Sequence, residues 1–330
     1  MFDKIKVSLP KTTLLLLQKD CDDFKIVKSD GKINMNSFIN QLLVNYYQEF
    51  CAIEEQLHDD IRQALDVTPE RYKEDAFQNV VKLFAKQADG IVDKKHNVVF
   101  SFKPTKMSEK ATAYIERSLL ASQSLSSYYR RLFCAYSKNT KNEREKIIFK
   151  VNYEILQKAI KKGVKACVTL KGGTVYDNAT VYAVSPAKDE LFNYVLLYNG
   201  RNNTVRLASV HLVSLLTAKA DIPQKNKELF DRQIACAPQY PMYSTDDELI
   251  KVQLTPKGQK LFEKIYLYRP TPVSIDGDIY TFDCSANQLL YYFERFGESA
   301  LIIFPKRLGL FMRNYYYFAY KKYKTLYKKD

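Results

Sequence analysis

The sequence predicts an α+β chain of several domains, and three observations carry that prediction. Segments with strict two-residue alternation are kept apart from segments with helical spacing. β-rich runs cluster between residues 164 and 216, broken by Gly and Pro. A last stretch, 249–304, returns to alternating strand and helix signals. At 330 residues, with 46% hydrophobic and 27% charged residues, the chain has room for separate cores. The expected divisions are 1–145, 146–220 and 221–330.

Lys4–Pro10 alternates, with Ile5, Val7 and Leu9 on one face and Lys4, Lys6 and Ser8 on the other. A helix is expected over 12–21. After the Asp30-Gly31 loop, Asn36 is placed to cap a helix whose Phe38, Ile39, Leu42, Leu43 and Tyr46 form one stripe. The same grammar returns: a strand at 97–104, then a helix with Ala111, Tyr114, Ile115, Ser118 and Leu119 aligned. A second helix follows, with Leu125, Tyr128, Leu132, Phe133 and Tyr136 aligned. The strand–helix–helix order resembles two ribbon-helix-helix units, a family in which two strands pair antiparallel as a ribbon; the resemblance suggests that the two copies pair within one chain, with pairing between chains left open. Residues 48–87 then form a helical connector broken near Thr68-Pro69. Residues 139–144 and 218–227 are read as polar breaks, and 237–242 as a rigid crossing segment.

The middle of the chain opens with an amphipathic helix at 155–163. Four or five β runs follow, broken at Gly172-Gly173, Pro186 and Asn199-Gly200, which predicts a small, bent antiparallel sheet. The last third reads as a strand over 249–254 and a helix over 255–265 with Pro256 in its first turn. A hairpin turns at Asp276-Gly277, a helix ends at Gly297, a strand spans 299–305, and a basic, Tyr-rich helix begins at Lys306.

These patterns resemble a known family. The doubled strand–helix–helix is similar to two ribbon-helix-helix units. The helix of the form Ala-Ile…Gly at 159–163 and the β runs after it resemble a WYL domain, an SH3/Sm-like β-barrel. The β-α-β-β-α-β order that follows resembles its WCX extension, a ferredoxin-like α+β domain that dimerises. The name-giving Trp-Tyr-Leu corresponds to Asn193-Tyr194-Val195, so only the tyrosine is kept. Arg206 matches a basic position of the family, and Ser209 stands where a second arginine is usual. The whole layout resembles the WYL accessory proteins of type VI-D CRISPR systems, and also the wider set of WYL transcriptional regulators. WYL domains bind nucleotides or nucleic acid and are not catalysts, so the resemblance implies no enzymatic activity.

Charge agrees with a polyanionic partner. Lys and Arg number 51 against 37 Asp and Glu, a net +14, with 25 Tyr and no Trp. The expected pocket carries Tyr194, Tyr182, Arg206, Arg201, Ser209 and His211, offering stacking rings and phosphate donors. The alternative is that both tyrosines complete the core and Arg201 is a hairpin-tip charge. On the ribbon, Lys4, Lys6 and Ser8 project from one strand, and Val99, Ser101 and Lys103 from the other. Asn34, Asn36 and Ser37 at a helix N-terminus, the Tyr128–Arg131 knot and the basic tail from Arg313 are weaker candidates.

Enzyme chemistry finds no motif. The three histidines, His58, His96 and His211, have no metal-ligand spacing, and Lys171-Gly172-Gly173 lacks a phosphate-loop continuation. The six cysteines are scattered and read as reduced thiols of a cytoplasmic protein. No export signal or membrane-length apolar run is recognisable. No cofactor or metal is expected. The first functional expectation is a homodimeric accessory protein that binds single-stranded RNA and modulates a type VI-D RNA-guided RNA nuclease. The second is a ribbon-helix-helix DNA-binding regulator with a nucleotide-sensing pocket. A protein-binding scaffold is a third.

Overall fold

The computed structural model describes residues 4–90, 97–118, 124–187, 192–236, 248–284 and 286–327. The sequence expectations at Leu119, His96, 237–242 and the last three residues of the basic tail lie outside these residues. The chain divides into two compact units, Met1–Lys150 and Val151–Asp330.

In the first unit the two alternating segments meet. Strand β1 (Ile5–Pro10) pairs antiparallel with β2 (Asn97–Phe102), Lys6 opposite Ser101 and Ser8 opposite Val99. Val7, Leu9 and Phe102 are buried, while Lys6, Val99 and Ser101 are exposed. The two-residue period therefore sorts the faces as the sequence predicts. Among the described residues six helices complete the unit: α1 (Lys11–Asp23), α2 (Met35–Ala64), α3 (Glu70–Gly90), α4 (Glu109–Ser118), α5 (Leu125–Lys138) and α6 (Lys141–Ile148). The predicted stripe of α2 is buried from Phe38 to Tyr46. Its cap differs: Asn34, not Asn36, accepts the Ser37 amide at 3.1 Å. Asn36 instead accepts the Lys103 amide at 2.7 Å, tying α2 to the end of β2. On α4, Ala111 and Ile115 are buried, but Tyr114 stays 42% exposed and meets Tyr47 edge-on.

Residues 139–144 are not a break. Thr140 and Glu143 form a capping box, and α6 starts there. Its Arg144 turns inward and donates twice to the Asp20 carboxylate, at 2.6 and 3.0 Å, while the Tyr136 hydroxyl donates to the same group at 2.9 Å. Asp20 is 1% exposed and Arg144 9%. A buried charge persists only when paired in this way.

The second unit begins with α7 (Lys150–Lys162), which ends at Gly163 with φ +60°, the left-handed position glycine favours. Strands β3 (Val164–Leu170), β4 (Val175–Pro186), β5 (Asn193–Tyr198), β6 (Asn202–Arg206) and β7 (Val210–Lys219) form one antiparallel sheet, ordered β6-β5-β4-β3-β7. The first half of β4 pairs with β3 and its second half with β5, so one long strand serves both sides of the bend. The sheet does not close into a barrel among the described residues: β6 and β7 remain its edges. The single β run expected at 204–216 is interrupted by a 3₁₀ turn, Leu207–Ser209, so Arg206 ends a strand.

Helix α8 (Gln224–Cys236) follows. Then β8 (Ile250–Leu254), α9 (Pro256–Lys264), β9 (Pro272–Asp276), β10 (Ile279–Phe282), α10 (Ala286–Phe293), β11 (Ala300–Phe304) and α11 (Lys306–Leu326) complete the chain. The four strands lie in the order β11-β8-β10-β9, all antiparallel, with Gly277 turning the β9–β10 hairpin. Their core gathers Val252, Leu254, Phe282, Leu289, Tyr292 and Phe293. Helix α10 stops at Phe293, four residues before Gly297.

Candidate nucleic-acid interface

The ribbon sets its outward row by alternation alone. Lys4, Lys6, Ser101 and Lys103 are exposed, Ser8 is half-buried, and Val99 is 73% exposed between them. With Ile5 opposite Phe102, the three lysines gather at one end of the ribbon. The backbone beneath them is fixed: Arg130 donates to the Ser8 carbonyl at 2.7 Å, and Asn40 to the Lys103 carbonyl at 3.0 Å. A rigid backbone bearing flexible lysines suits phosphate contact, which needs charge more than geometry.

The sheet residues predicted as one pocket separate into three groups. Tyr194, Arg206 and Ser209 come together. Tyr194 and Arg206 are cross-strand partners, and the Arg206 Nε donates to the Tyr194 hydroxyl at 3.3 Å. The Arg206 guanidinium lies 4.4 Å from the Phe192 ring centre, and the Ser209 hydroxyl donates to the Arg206 carbonyl at 2.6 Å. Arg206 is exposed, whereas the Tyr194 ring is fully buried. Tyr194 therefore offers no face for stacking and instead orients the arginine. A guanidinium held by a ring and a hydroxyl keeps its planar fork pre-organised for a phosphate. Phe192 is the partner that sequence reasoning missed; its position two residues before Tyr194 was the available signal.

Arg201 and His211 lie apart from this group. Arg201 is exposed at the β5–β6 hairpin tip, at the opposite end of β6. His211 is exposed on β7, the other edge strand, and its carbonyl accepts from Asn152 at 3.2 Å.

Tyr182 shares the Arg206 face of the sheet, but α8 lies over it. Its ring stacks on Phe230, with centroids 5.1 Å apart and planes at 17°. Its hydroxyl donates to Asp231. Burial and that carboxylate push the Tyr182 hydroxyl up to about 12. Asn226 of α8 donates to Asn202 at 2.8 Å, and Gln233 to Thr204 at 3.3 Å, Thr204 being two residues from Arg206 on the same face. Residues 218–227, read as a break, thus end as the first turn of a helix whose Phe230 is fully buried. Gln233 is also fully buried, but its Oε1 has no hydrogen-bond partner. Burying one Phe contributes roughly 1.5–3 kcal/mol. An unsatisfied buried oxygen costs about 1–3 kcal/mol. The orphaned oxygen offsets much of what Phe230 contributes, so the polar contacts of Asn226, Asp231 and Arg232, the last 3.7 Å from Asp283, carry much of the hold on α8.

The weaker candidates resolve into structure. Tyr128 and Tyr129 are buried, and Arg131 pairs with Glu54 at 2.7 Å. The last helix differs. Beyond Met312 and Tyr316, α11 leaves Tyr317, Phe318, Tyr320, Tyr323 and Leu326 about half exposed or more. Lys321 lies 5.0 Å above the Tyr317 ring and Lys324 5.7 Å above the Tyr320 ring. Residues 306–327 contain no acidic side chain. Among the described residues, no cluster of His, Cys, Asp and Glu could hold a metal ion, and no helix is long and apolar enough to cross a membrane. His58 packs edge-on against Phe77.

No protein-family profile matches the chain, and no curated protein matches it. Among solved structures, one described as the crystal structure of a CRISPR Cas-related protein aligns over 99% of this chain and 95% of its own, at TM-score 0.70 and 16% identity. That likeness is one of fold across the whole length. A second, proteasome accessory factor B/C of Arthrobacter aurescens, aligns over 66% of this chain and 38% of its own, at TM-score 0.27 and 16% identity.

Proposed function

We propose that this chain is a non-enzymatic accessory protein of a CRISPR system that binds single-stranded RNA and modulates an RNA-guided RNA nuclease of the type VI-D class. The observation that carries the reading is the exposed Arg206 guanidinium, aimed by Tyr194 and backed by Phe192 on a sheet of a chain with net charge +14. The full-length fold likeness to a CRISPR Cas-related protein supports the setting. By the same reading the second unit comprises a WYL-like sheet and a WCX-like domain, working in the cytoplasm. The exposed aromatic face of α11 is then where a second copy packs to form a homodimer.

The ribbon favours RNA over an operator. Base reading from a ribbon needs polar side chains that reach base edges. Here the central pair is Ser8 opposite the exposed Val99, and Lys4, Lys6 and Lys103 lie toward one end. Phosphate contact without sequence reading is what this surface supports. A ribbon-helix-helix regulator remains the second reading, favoured by the β1–β2 pairing itself.

Both are tested by fluorescence anisotropy across a salt series, using a labelled unstructured RNA and duplex DNA of the gene's own promoter. RNA is expected to bind more tightly, and the reverse preference would overturn the RNA reading. Arg206→Ala removes a charge-assisted contact worth about 1.5–3 kcal/mol. It should weaken RNA binding roughly tenfold or more, with little change in the thermal transition. Unaltered affinity would remove Arg206 from the site.

A further inference from the structure

We propose that α8 is a displaceable cover on the nucleic-acid face, and that Tyr182 beneath it is a stacking subsite for a nucleobase whose place Phe230 takes in this structure. The proposal rests on the reading of the Arg206 face as the single-strand site and names how that site is regulated.

Four observations converge. The Phe230 ring lies nearly parallel to Tyr182, at 5.1 Å and 17°, the arrangement in which a base stacks on an aromatic side chain. The cover has a thin hold: Phe230 is the only fully buried apolar side chain among the described residues of α8. Elements with few buried apolar contacts open at low free energy. Gln233 is buried with an unpartnered Oε1, two sheet positions from Arg206 through Thr204. That orphaned oxygen regains water when the cover opens, which favours opening. Last, the cover presents a carboxylate: Asp231 sits on the Tyr182 hydroxyl, where an approaching phosphate chain repels it.

These observations give the exchange a direction. The closed state satisfies Tyr182 with one ring and one carboxylate from the protein itself. A single strand offers the ring through a base and brings negative charge that expels Asp231. Apparent affinity is then reduced by the fraction of molecules that are closed, and loosening the cover restores it.

The test uses the full chain and a labelled U-rich RNA. Hydrogen exchange is followed by mass spectrometry with and without RNA. The expected result is faster exchange over 224–236 and slower exchange over 193–206 in the complex. Phe230→Ala and Asp231→Asn are each expected to tighten RNA binding about three- to tenfold, which reads as a small shift of the closed population. If Phe230→Ala fails to fold, Asp231→Asn, which keeps the buried ring, carries the same prediction. Slower exchange over α8 on binding, or both variants binding no better than the parent, would overturn the cover. Arg206→Ala separates the two levels: weakened binding with α8 protected refutes the cover and leaves the site standing. Unchanged binding refutes the site, and the cover with it.

Discussion

Asp20 is a residue whose importance only the fold reveals. It lies on α1 near Asp22 and Asp23, yet unlike Asp22 it accepts from both Arg144 and Tyr136 in the interior. The sequence separation, 124 residues to Arg144, hides the pair from any local pattern. Removing one member of such a pair leaves the other charged and buried, which costs about 3–5 kcal/mol. Asp20→Ala should therefore lower stability by that amount in urea unfolding, far more than Asp22→Ala, whose partner Lys25 is largely exposed. Equal losses would mean that the buried pair is not what ties α1 to α6. Burial also pushes the Cys21 thiol up to about 11, in keeping with an inert core thiol.

At the scale of the element, legibility followed periodicity. The α2 stripe, the alternation of β1, the Asp276-Gly277 hairpin and the start of α9 at Pro256 were all readable because each rests on spacing or turn chemistry within a few residues. Helix α6 was missed although the Thr140…Glu143 capping box was visible, since its polar composition masked a helix that buries Arg144 and Glu145 together with Ile147 and Ile148. Residues 204–216 read as one strand because their apolar content is continuous, and the 3₁₀ turn that divides them is held by Ser209 and not by any Gly or Pro. The site was half legible for the same reason. Tyr194 and Arg206 lie on paired strands, whereas the cover over Tyr182 comes from a helix beyond a change of direction. Close backbone approach is equally silent in a pattern. A Cβ on Gly258 would meet the Ser299 carbonyl oxygen at 2.1 Å. Gly258→Ala should thus force α9 from the turn at Ser299 that leads into β11 and lower thermal stability by about 1–3 kcal/mol; a neutral substitution would show that α9 has room to shift.

For the whole molecule, the proposed homodimer turns on α11. Its exposed rings form a surface that solution monomers rarely keep bare. Tyr320→Glu with Tyr323→Glu in the full chain should halve the mass measured by light scattering if a second copy packs there; an unchanged dimer would relocate the interface. The ribbon carries a different consequence. A ribbon of two identical strands has a two-fold axis and suits a palindrome. Here Lys6 faces Ser101, Ser8 faces Val99, and both strands belong to one chain. A half turn does not superpose this surface on itself. Lys4, Lys6 and Lys103 gather at its head, while at its tail Lys11 follows Pro10 into α1, so a strand laid along it meets the two ends unequally. One chain therefore possesses polarity, the same attribute that distinguishes the 5′ end of a nucleic acid from its 3′ end.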